Sequence, residues 1–366
     1  MRVLVVSNSA WPVVGGIEVL LDQLLPALCD RGHEINLLTS AHVTDKAEVA
    51  VRNGITRHRT QLAVALTRRD PGLLSRERQR VRRLVAELQP DLVHSHDVGP
   101  NLWAVVKAAH TAPIITTMHI GLQSSGIGSF DAATELLRAS AWVTGVSATA
   151  ISEALALEPS LRDRTSVIEN GIELPPPTSR QVVPGRVVCL GRLVRQKGFD
   201  VVLRAFTVVA ARHPEAHVVF AGDGPERAML EDLAADLGLT GRVTFLGAVK
   251  HVEVADLLSE AQIVALPSRW EGQPIAALET AAAGRPLIST SVDGLANVVV
   301  DGVTGLVVSV DDDAAFAAAC ARLLADPALC DELGANARER VASEFGQTRC
   351  VDAYDELFRF VVGMTN

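Results

Sequence analysis

Two series of short apolar runs, separated by a proline-rich segment, constrain the fold of this 366-residue chain more than any other feature. Runs rich in Val, Ile and Leu alternate with longer segments in which Ala, Leu and Arg follow a helical period. This alternation is typical of parallel strands joined by crossover helices. The predicted strands are 3–7, 35–39, 92–95, 114–118, 142–146 and 166–168 in the first series, and 187–190, 218–221, 243–246, 263–266, 287–289 and 306–308 in the second. The pattern therefore predicts an α/β protein with two doubly wound, Rossmann-like domains.

The segment Pro175-Pro176-Pro177-Thr178-Ser179 separates the two series. Three prolines followed by small polar residues cannot lie inside a sheet, so we interpret this segment as a linker. The predicted domains are residues 1–174 and 181–345, joined by the linker at 175–180 and expected to face each other across a cleft. Ligands of such sheets bind beyond the carboxyl ends of the strands, so the residues just after each strand are the candidates for a site.

Composition argues against several classes of function. Charged residues make up 21% of the chain, the net charge is −9 and only 4% is aromatic. This balance argues against binding to nucleic acid, which favours basic surfaces and aromatic stacking. The five cysteines are scattered and form no C-x-x-C pair, as expected of reduced thiols. The chain has neither an apolar stretch of about 18 residues nor the apolar core of a signal peptide, so we expect a cytoplasmic protein.

Glu271 and Glu279 flank the predicted start of a helix in the second domain. Pro274 fits the first helical position, and the N–H groups of that first turn, together with the helix macrodipole, form an anion site. Two carboxylates beside an anion site suit a hydroxyl-rich ligand that carries phosphate. The alternative is a surface helix with one acid before it and a second on its solvated face.

Arg192 and Lys197 lie in the loop from Gly191 to Gly198, after the first strand of the second series. Two cations on one loop can neutralise a diphosphate, although a solvated basic loop is the alternative. The sequence has no Walker A motif and no G-x-G-x-x-G after the first strand, which excludes a P-loop NTPase and an ordinary dehydrogenase. Gly15 and Gly16 form another glycine loop, which lets backbone N–H groups approach an anion, but a plain loop is the default for so short a motif.

Taken together, these motifs resemble a retaining GT-B glycosyltransferase of glycosyltransferase family 4. The resemblance runs from the first strand to beyond Gly305, and it is specific through the order and spacing of its parts. These parts are Gly15-Gly16-Ile17-Glu18, His94-Ser95-His96-Asp97, Met118-His119-Ile120-Gly121, Val146-Ser147, Asn170-Gly171-Ile172, the Gly191 to Gly198 loop, Ala221-Gly222-Asp223-Gly224-Pro225-Glu226, the Glu271 and Glu279 pair, and Asp301-Gly302-Val303-Thr304-Gly305.

The resemblance implies that the second domain binds a nucleotide diphosphate sugar, with a UDP-sugar favoured, and needs no metal cofactor. It places Arg192 and Lys197 on the diphosphate, Glu279 on the ribose hydroxyls and Glu271 on the sugar. The implied catalytic residues are His119, Arg192, Lys197 and Glu271, and the implied donor-binding residues are Gly15, Gly16, Arg192, Lys197, Gly222, Glu271, Gly272, Gln273, Pro274, Ile275 and Glu279.

The first domain should hold the acceptor, which is a sugar, a lipid-linked molecule or another small molecule. The acceptor-side candidates are His94, His96, Asp97 and Ser147. Residues 346–366 should form a final helix that crosses back to the first domain. In a family-type front-face mechanism the diphosphate leaves while the acceptor hydroxyl attacks from the same side, so the enzyme needs no nucleophile.

Two other functions stay open. A catalytically silent sugar-nucleotide-binding protein of this fold would bind the sugar donor without releasing nucleotide diphosphate. A sugar-nucleotide epimerase would convert the sugar donor without an acceptor.

Two acidic or histidine motifs could be mistaken for metal sites. Asp311-Asp312-Asp313 precedes a predicted helix at 314–324, where acids in the first turn complement the helix dipole, so we predict capping. His94-x-His96-Asp97 could bind zinc, but no further ligands are spaced to complete a tetrahedral site, which favours an acceptor-side polar edge.

Arginines are concentrated between residues 68 and 83. They are Arg68, Arg69, Arg76, Arg78, Arg80, Arg82 and Arg83. This segment can contact a membrane surface or an acceptor, in which case the protein is peripheral at the inner membrane face. The alternative, which the sequence supports as well, is a solvated helix whose apolar residues Leu73, Leu74, Val81 and Leu84 face the core.

Overall fold

The computed structural model describes residues 1–11, 13, 15–41, 49–119, 130–176 and 180–364. The chain divides into two compact units. Unit 1 comprises Met1–Asn170 and Gln347–Asn366, and unit 2 comprises Gly171–Gly346. Ile120 and Gly121 of the His119 motif, and residues 177–179 of the proline-rich segment, lie outside the described residues.

Each unit is built on one sheet. The strands of unit 1 are β1 (Arg2–Ser7), β2 (Glu34–Ser40), β3 (Val49–Arg52), β4 (Ile55–Thr60), β5 (Leu92–Ser95), β6 (Ile114–Met118), β7 (Trp142–Gly145) and β8 (Thr165–Val167). Those of unit 2 are β9 (Arg186–Leu190), β10 (His217–Ala221), β11 (Val243–Gly247), β12 (Ile263–Leu266), β13 (Leu287–Thr290) and β14 (Gly305–Val308). The twelve predicted strands are all present, each within about two residues of its predicted ends.

The helices alternate with the strands. They are α1 (Gly16–Asp30), α2 (Leu62–Thr67), α3 (Pro71–Leu88), α4 (Pro100–Val106), α5 (Phe130–Ala139), α6 (Ala148–Leu157), α7 (Phe199–Arg212), α8 (Arg227–Asp236), α9 (His251–Ser259), α10 (Ile275–Ala282), α11 (Asp293–Ala296), α12 (Asp313–Ala325), α13 (Pro327–Glu344) and α14 (Gln347–Gly363). Among the described residues, no helix is both long enough and apolar enough to cross a bilayer.

The strand order fixes where a ligand can bind in each sheet. Unit 1 has the order β3-β4-β2-β1-β5-β6-β7-β8, and unit 2 has the order β11-β10-β9-β12-β13-β14. In unit 2 the chain runs outward from β9 through β10 and β11, then returns to place β12 on the other side of β9. The order therefore reverses between β9 and β12, and in unit 1 it reverses between β1 and β5. Open parallel sheets bind ligands in the crevice beyond the carboxyl ends of the strands at such a reversal.

One hairpin was missing from the sequence prediction. β3 pairs antiparallel with β4, and Asn53 and Gly54 connect them with φ angles of 51° and 76°. Positive φ at both turn residues is the geometry that favours Asn-Gly in two-residue hairpins. The Asn-Gly dipeptide could have predicted this hairpin, but β3 and β4 carry arginines and a histidine and did not match the apolar pattern of the other strands.

The last helix, α14, packs within unit 1. Its apolar residues recur at helical spacing, and they are buried together with leucines of α1 in one core. They are Cys350, Val351, Tyr354, Leu357, Phe358 and Val361. At the margin of this contact Arg31 pairs with Asp352, and His33 Nε2 lies 2.8 Å from Asp355 Oδ1. Burial of the apolar stripe, the Arg31–Asp352 ion pair and the His33–Asp355 hydrogen bond hold α14 in unit 1.

Candidate active site

A largely buried ion pair joins the two loops at the reversal point of unit 2. Lys197 follows β9 and Glu271 follows β12, and Lys197 Nζ lies 2.5 Å from Glu271 Oε1. The two side chains are 14% and 6% exposed. Ser268 Oγ donates to the same carboxylate oxygen at 2.7 Å, and Gln196 Nε2 lies 3.4 Å from Oε2. The structure therefore brings these two predicted residues together, and it adds Ser268 and Gln196, which the sequence analysis missed.

The helix that follows Glu271 begins without a side-chain cap. α10 starts at Ile275, and Pro274 occupies the N-cap with φ −72° and ψ 126°. The sequence predicted Pro274 at the first helical position, but the residue lies one position earlier, because its extended ψ excludes it from the helix. The difference leaves the anion site intact, since the N–H groups of the first turn have no side-chain acceptor and carry the positive end of the helix dipole.

Arg192 contributes an unneutralised cation to the same edge of the sheet. Its side chain is exposed and contacts no acidic group among the described residues. The loop that carries it is held by backbone hydrogen bonds, because Leu193 N–H donates to the carbonyl oxygen of Asp223 at 3.0 Å and Glu226 N–H donates to the carbonyl oxygen of Leu193 at 3.0 Å. Arg192 is thus fixed through its backbone while its guanidinium remains available to an anion.

Gly222 allows this close packing of two loops. Its φ is 150°, and a Cβ atom at this position would overlap the carbonyl oxygen of Gly191. No other residue type can be accommodated without moving the loop of Arg192. Gly222, predicted as a donor-binding residue, therefore sets the spacing between the two loops.

Arg269 braces the loops around the ion pair, and no sequence motif indicated it. It donates to the carbonyl oxygen of Arg195 at 2.8 Å, to Asp200 at 2.7 Å and to Asp311 at 2.8 Å. Hydrogen bonds from the side chain to Asp200 and Asp311 hold the pKa of Arg269 above its usual range. Because Arg195 belongs to the turn that contains Lys197, Arg269 ties the loop after β12 to the loop after β9.

Glu279 lies one turn into α10 and has a histidine neighbour. Its Oε1 is 3.2 Å from Nδ1 of His251, the first residue of α9. The side chains are 12% and 38% exposed, so the pair lies at the surface of unit 2. His251 is distant in sequence and belongs to no motif, which is why the sequence did not predict this contact.

Gly272 and Gln273 are held against α11. A Cβ atom at Gly294 of α11 would overlap the carbonyl oxygen of Gly272, although Gly294 has an ordinary φ. Gln273 is 5% exposed. The loop from Glu271 to Pro274 therefore rests on the backbone of α11 and has a fixed position.

The remaining predicted residues belong to unit 1. Gly15 is the N-cap of α1 and offers no side chain to that helix, and Gly16 is exposed at its first position. His119 directly follows β6, and its Nε2 lies 2.8 Å from His96 Nδ1, with the ring planes 17° apart and the ring centroids 5.1 Å apart. Burial lowers the pKa of His119 to about 4, so the ring is neutral at pH 7.

Asp97 links the two central strands of unit 1 at their carboxyl ends. Its Oδ2 accepts the N–H of Asn8, after β1, at 2.5 Å, and its Oδ1 accepts the N–H of Gly99 at 2.8 Å. Burial raises the pKa of Asp97 to about 6, and these two hydrogen bonds oppose that rise. Asp97 therefore lies at the carboxyl ends of the strands of unit 1, which is where the sequence predicts the acceptor.

Three acceptor-side predictions do not fit the structure, and one of them is His96, which is 2% exposed and hydrogen-bonded to His119. His94 has no exposed surface, because Tyr354 and Phe358 of α14 cover its ring. Ser147 is 3% exposed and accepts the N–H of Ala150 as the N-cap of α6. None of these side chains can contact an acceptor in this conformation: His94 belongs to the core, His96 contacts His119 and Ser147 caps α6.

The acidic triplet behaves as predicted. Asp312 caps α12 by accepting the N–H of Ala315 at 2.8 Å, while Asp311 and Asp313 pair with Arg269 and Arg204. No group of three or more metal-ligating side chains is arranged around a common point in the part of the chain that the structure describes.

The arginine segment forms α3 and the turn before it. Val81 is buried, and Leu74 and Leu84 pack against the same core of unit 1, which confirms the predicted apolar face. Leu73 is only half-buried. On the outer side Arg78 lies over the ring of Trp103 at 4.8 Å, and Arg80 donates to the carbonyl oxygen of Arg59 at 2.8 Å.

Comparisons with known proteins agree with this architecture. A glycogen synthase from Mycobacterium tuberculosis is 28% identical over 94% of this chain and 91% of that protein. The N-acetyl-alpha-D-glucosaminyl L-malate synthase of Bacillus anthracis is 27% identical over 96% and 95%. A sucrose-phosphate synthase from Thermosynechococcus elongatus superposes with a TM-score of 0.86 over 99% of both chains at 22% identity. Anabaena HepE, solved with UDP and glucose, has a TM-score of 0.80 over 98% of this chain and 99% of its own at 18% identity.

These structures confirm the GT-B fold. The family model described as Glycosyltransferase Family 4 matches residues 14–176, and the one described as Glycosyl transferases group 1 matches residues 178–340. The first match lies mostly in unit 1 and the second lies within unit 2, and between them they include every predicted site residue. The chain therefore belongs to the family 4 glycosyltransferases, glycosyl transferases group 1, and is an enzyme of the hexosyltransferase class.

Proposed function

We propose that this enzyme transfers a sugar from a UDP-sugar to an acceptor hydroxyl with retention of the anomeric configuration. One observation carries the proposal: the Lys197 and Glu271 pair lies at the reversal point of unit 2, between the exposed Arg192 and the uncapped start of α10. A diphosphate needs fixed cations and N–H groups, and a sugar needs a carboxylate nearby. This edge of the sheet supplies both.

The proposed chemistry is stabilisation of the leaving group. As the bond between the sugar and the diphosphate breaks, negative charge grows on the diphosphate. Lys197, Arg192 and the N–H groups of α10 then interact more strongly with it than in the ground state. Glu271 accepts hydrogen bonds from sugar hydroxyls, and Glu279 accepts them from the ribose. The acceptor hydroxyl attacks from the side that the diphosphate leaves, so no covalent sugar–enzyme intermediate forms.

The choice of uridine rests on relatives of the same fold. HepE was solved with UDP and glucose bound. The direct test is a panel of UDP-glucose, UDP-N-acetylglucosamine, ADP-glucose and GDP-mannose in thermal unfolding. A ligand at 100 times its dissociation constant stabilises by about 2.7 kcal/mol, which corresponds to a shift of roughly 5–10 °C for a domain of this size. We expect a UDP-sugar to give the largest shift, and a larger shift with ADP-glucose or GDP-mannose would contradict the assignment of the base.

Turnover separates the proposed function from its two alternatives. The best ligand of the panel is incubated with the enzyme, and the release of UDP and the identity of the remaining sugar nucleotide are followed. Slow UDP release to water, accelerated by an acceptor, is the expected result. Binding without any release would favour a silent sugar-nucleotide-binding protein, and a new sugar nucleotide formed without acceptor would favour an epimerase.

We also propose that transfer needs no metal ion. Lys197 and Arg192 provide at the diphosphate the positive charge that a divalent cation provides in other enzymes. The rate of UDP release should therefore be the same with and without a strong chelator. Activity that disappears with the chelator and returns with Mn²⁺ or Mg²⁺ would contradict the proposal.

For the acceptor side, we propose that α3 contacts an anionic membrane surface. Six arginines of this segment are exposed and have no acidic partner among the described residues, although the chain as a whole carries a net charge of −9; they are Arg68, Arg69, Arg76, Arg78, Arg82 and Arg83. Each basic residue near an anionic surface contributes about 1 kcal/mol to binding.

Sedimentation with vesicles tests this contact. The enzyme should sediment with vesicles rich in phosphatidylserine. The combined substitutions Arg76→Gln, Arg82→Gln and Arg83→Gln should abolish sedimentation while UDP binding is unchanged. Equal sedimentation of both proteins would favour the solvated helix.

A further inference from the structure

His96 lies between two other histidines at the carboxyl ends of β5 and β6. Its ring centroid is 4.2 Å from that of His94 and 5.1 Å from that of His119. Only one of these contacts is a hydrogen bond, between His96 Nδ1 and His119 Nε2 at 2.8 Å. His94 uses its Nε2 to contact Thr117 Oγ1 at 2.9 Å and thereby forms the layer behind His96. His96 is therefore the side chain that fixes the orientation of the His119 ring.

Both rings of the hydrogen bond are neutral at pH 7. Burial and the neighbouring histidines lower the pKa of His96 well below its usual range, and burial lowers the pKa of His119 to about 4. A hydrogen bond between two neutral imidazoles requires one N–H and one bare nitrogen. Either His96 donates from Nδ1, or His119 donates from Nε2.

The second nitrogen of His96 decides between these two arrangements. His96 is 2% exposed, and its Nε2 is buried without a hydrogen-bond partner among the described residues. If His119 donated, the proton of His96 would sit on Nε2 as a buried N–H group without an acceptor. Buried N–H groups without partners are rarer in proteins than acceptors without partners. The proton of His96 therefore belongs on Nδ1, where it is donated to His119.

We propose that His96 is a positioning residue that holds His119 as the Nδ1–H tautomer, so that the second ring nitrogen of His119 is an N–H donor and not a bare nitrogen. The tautomer of a histidine is set by the hydrogen bond that its other nitrogen makes. Because Nε2 of His119 accepts from His96, its only proton is on Nδ1. The N–H group can then donate to a sugar hydroxyl without taking up a proton. The kinetic part of this proposal rests on the proposed function; the tautomer does not.

The tautomer can be measured directly in the full-length enzyme. Ring ¹⁵N shifts in a long-range ¹H–¹⁵N spectrum distinguish the two neutral forms, and the signal that disappears in His119→Gln identifies His119. At pH 7.5 we expect the Nδ1–H form in the unmodified enzyme. We also expect it in His96→Asn, whose amide Nδ2 can donate from the position of the imidazole Nδ1. In His96→Leu the donor is gone, and His119 should shift toward the Nε2–H form.

Kinetics provide the second measurement. With the UDP-sugar that gives turnover, His96→Leu should lower kcat by up to about 100-fold, since a displaced or wrongly protonated catalytic group costs on this order. KM for the UDP-sugar should change less than threefold, and His96→Asn should recover most of kcat. A merely structural role predicts equal losses in both variants, which thermal unfolding would reveal as equal losses of stability.

Either of two results would overturn the proposal. One is an Nε2–H tautomer of His119 in the unmodified enzyme, and the other is the same kcat in His96→Leu and His96→Asn. Failure of the proposed function has a different signature. If no sugar nucleotide is turned over, the NMR spectrum still reports the tautomer of His119, and only the chemical assignment of the enzyme is rejected.

Discussion

Lys197 and Arg192 are two cations of one loop that differ in how much the fold depends on them. Lys197 neutralises a carboxylate that is 6% exposed, whereas Arg192 is exposed and has no acidic partner among the described residues. Lys197→Met should destabilise unit 2 by about 1–3 kcal/mol, because a buried carboxylate is left without its charged donor. Arg192→Ala should change stability by less than about 0.5 kcal/mol, as for other surface positions.

Thermal unfolding checks this contrast. For a domain of 150–250 residues, about 1 kcal/mol corresponds to a change of 2–4 °C in Tm. UDP release measured on the same samples should fall in both variants, and in Lys197→Met kcat should fall more than affinity. An unchanged Tm in Lys197→Met would mean that the ion pair does not contribute to the fold. Unchanged turnover in Arg192→Ala would remove that residue from the site.

His94 makes the stability of unit 1 depend on pH. Burial lowers its pKa to about 3, against about 6.5 in an unfolded chain. The folded state binds fewer protons between these two values, so the contribution of His94 is complete above pH 6.5 and declines as the pH falls toward 3. Between pH 8 and pH 5 the loss should be about 2 kcal/mol.

The matched variant for this measurement is His94→Gln, which can keep the contact with Thr117 but does not titrate. Asp97 acts in the opposite direction, because its raised pKa of about 6 stabilises the folded state as the pH falls toward the value of an unfolded carboxyl. Comparison of the two proteins cancels that effect. Unfolding free energies at pH 8 and pH 5 should show a steeper decline for the unmodified protein; parallel declines would show that His94 is not the titrating group.

At the level of the elements, α11 acts as a support for the loop that carries Glu271. A Cβ atom at Gly294 would overlap the carbonyl oxygen of Gly272, whereas one at Gly302, which has a φ of +71°, would meet no atom within 4 Å. Gly294→Ala should therefore displace the loop and weaken UDP-sugar binding at least tenfold. Gly302→Ala should lower Tm through backbone strain of about 1 kcal/mol and leave binding unchanged. Calorimetric titration of both variants measures this, and equal affinities would contradict the support role.

The elements were the most predictable part of the structure. Parallel strands buried on both faces are continuous apolar runs, so periodicity located twelve of them. The hairpin of β3 and β4 was not predicted, because its strands carry charged residues and only Asn53-Gly54 indicated a turn. Pro274 was placed one position too far into α10, because proline fixes φ but leaves ψ free to adopt the extended value of 126°.

For the whole molecule, the motifs predicted the residues of the site but not their partners. Lys197 and Glu271 were each identified, yet only the strand order brings the loops after β9 and β12 together. His251, Arg269 and the contact of His96 with His119 depend on tertiary packing between residues far apart in sequence, which no local pattern encodes. The same packing buries His94, His96 and Ser147, because polar residues in a motif can serve the core as readily as they bind a ligand.

The central claim is that unit 2 binds a nucleotide diphosphate sugar with its ribose on Glu279 and its sugar on Glu271. Calorimetric titration of UDP and of the preferred UDP-sugar into Glu279→Ala and Glu271→Gln tests this most directly. Glu279→Ala should weaken both ligands alike, by about 1.5–3 kcal/mol for a lost hydrogen bond to a charged group. Glu271→Gln also removes the ion-pair partner of Lys197, so it should weaken the UDP-sugar more than it changes UDP. If Glu271→Gln weakens UDP as much as Glu279→Ala does, or if the unmodified enzyme binds neither ligand, the account of the site is wrong.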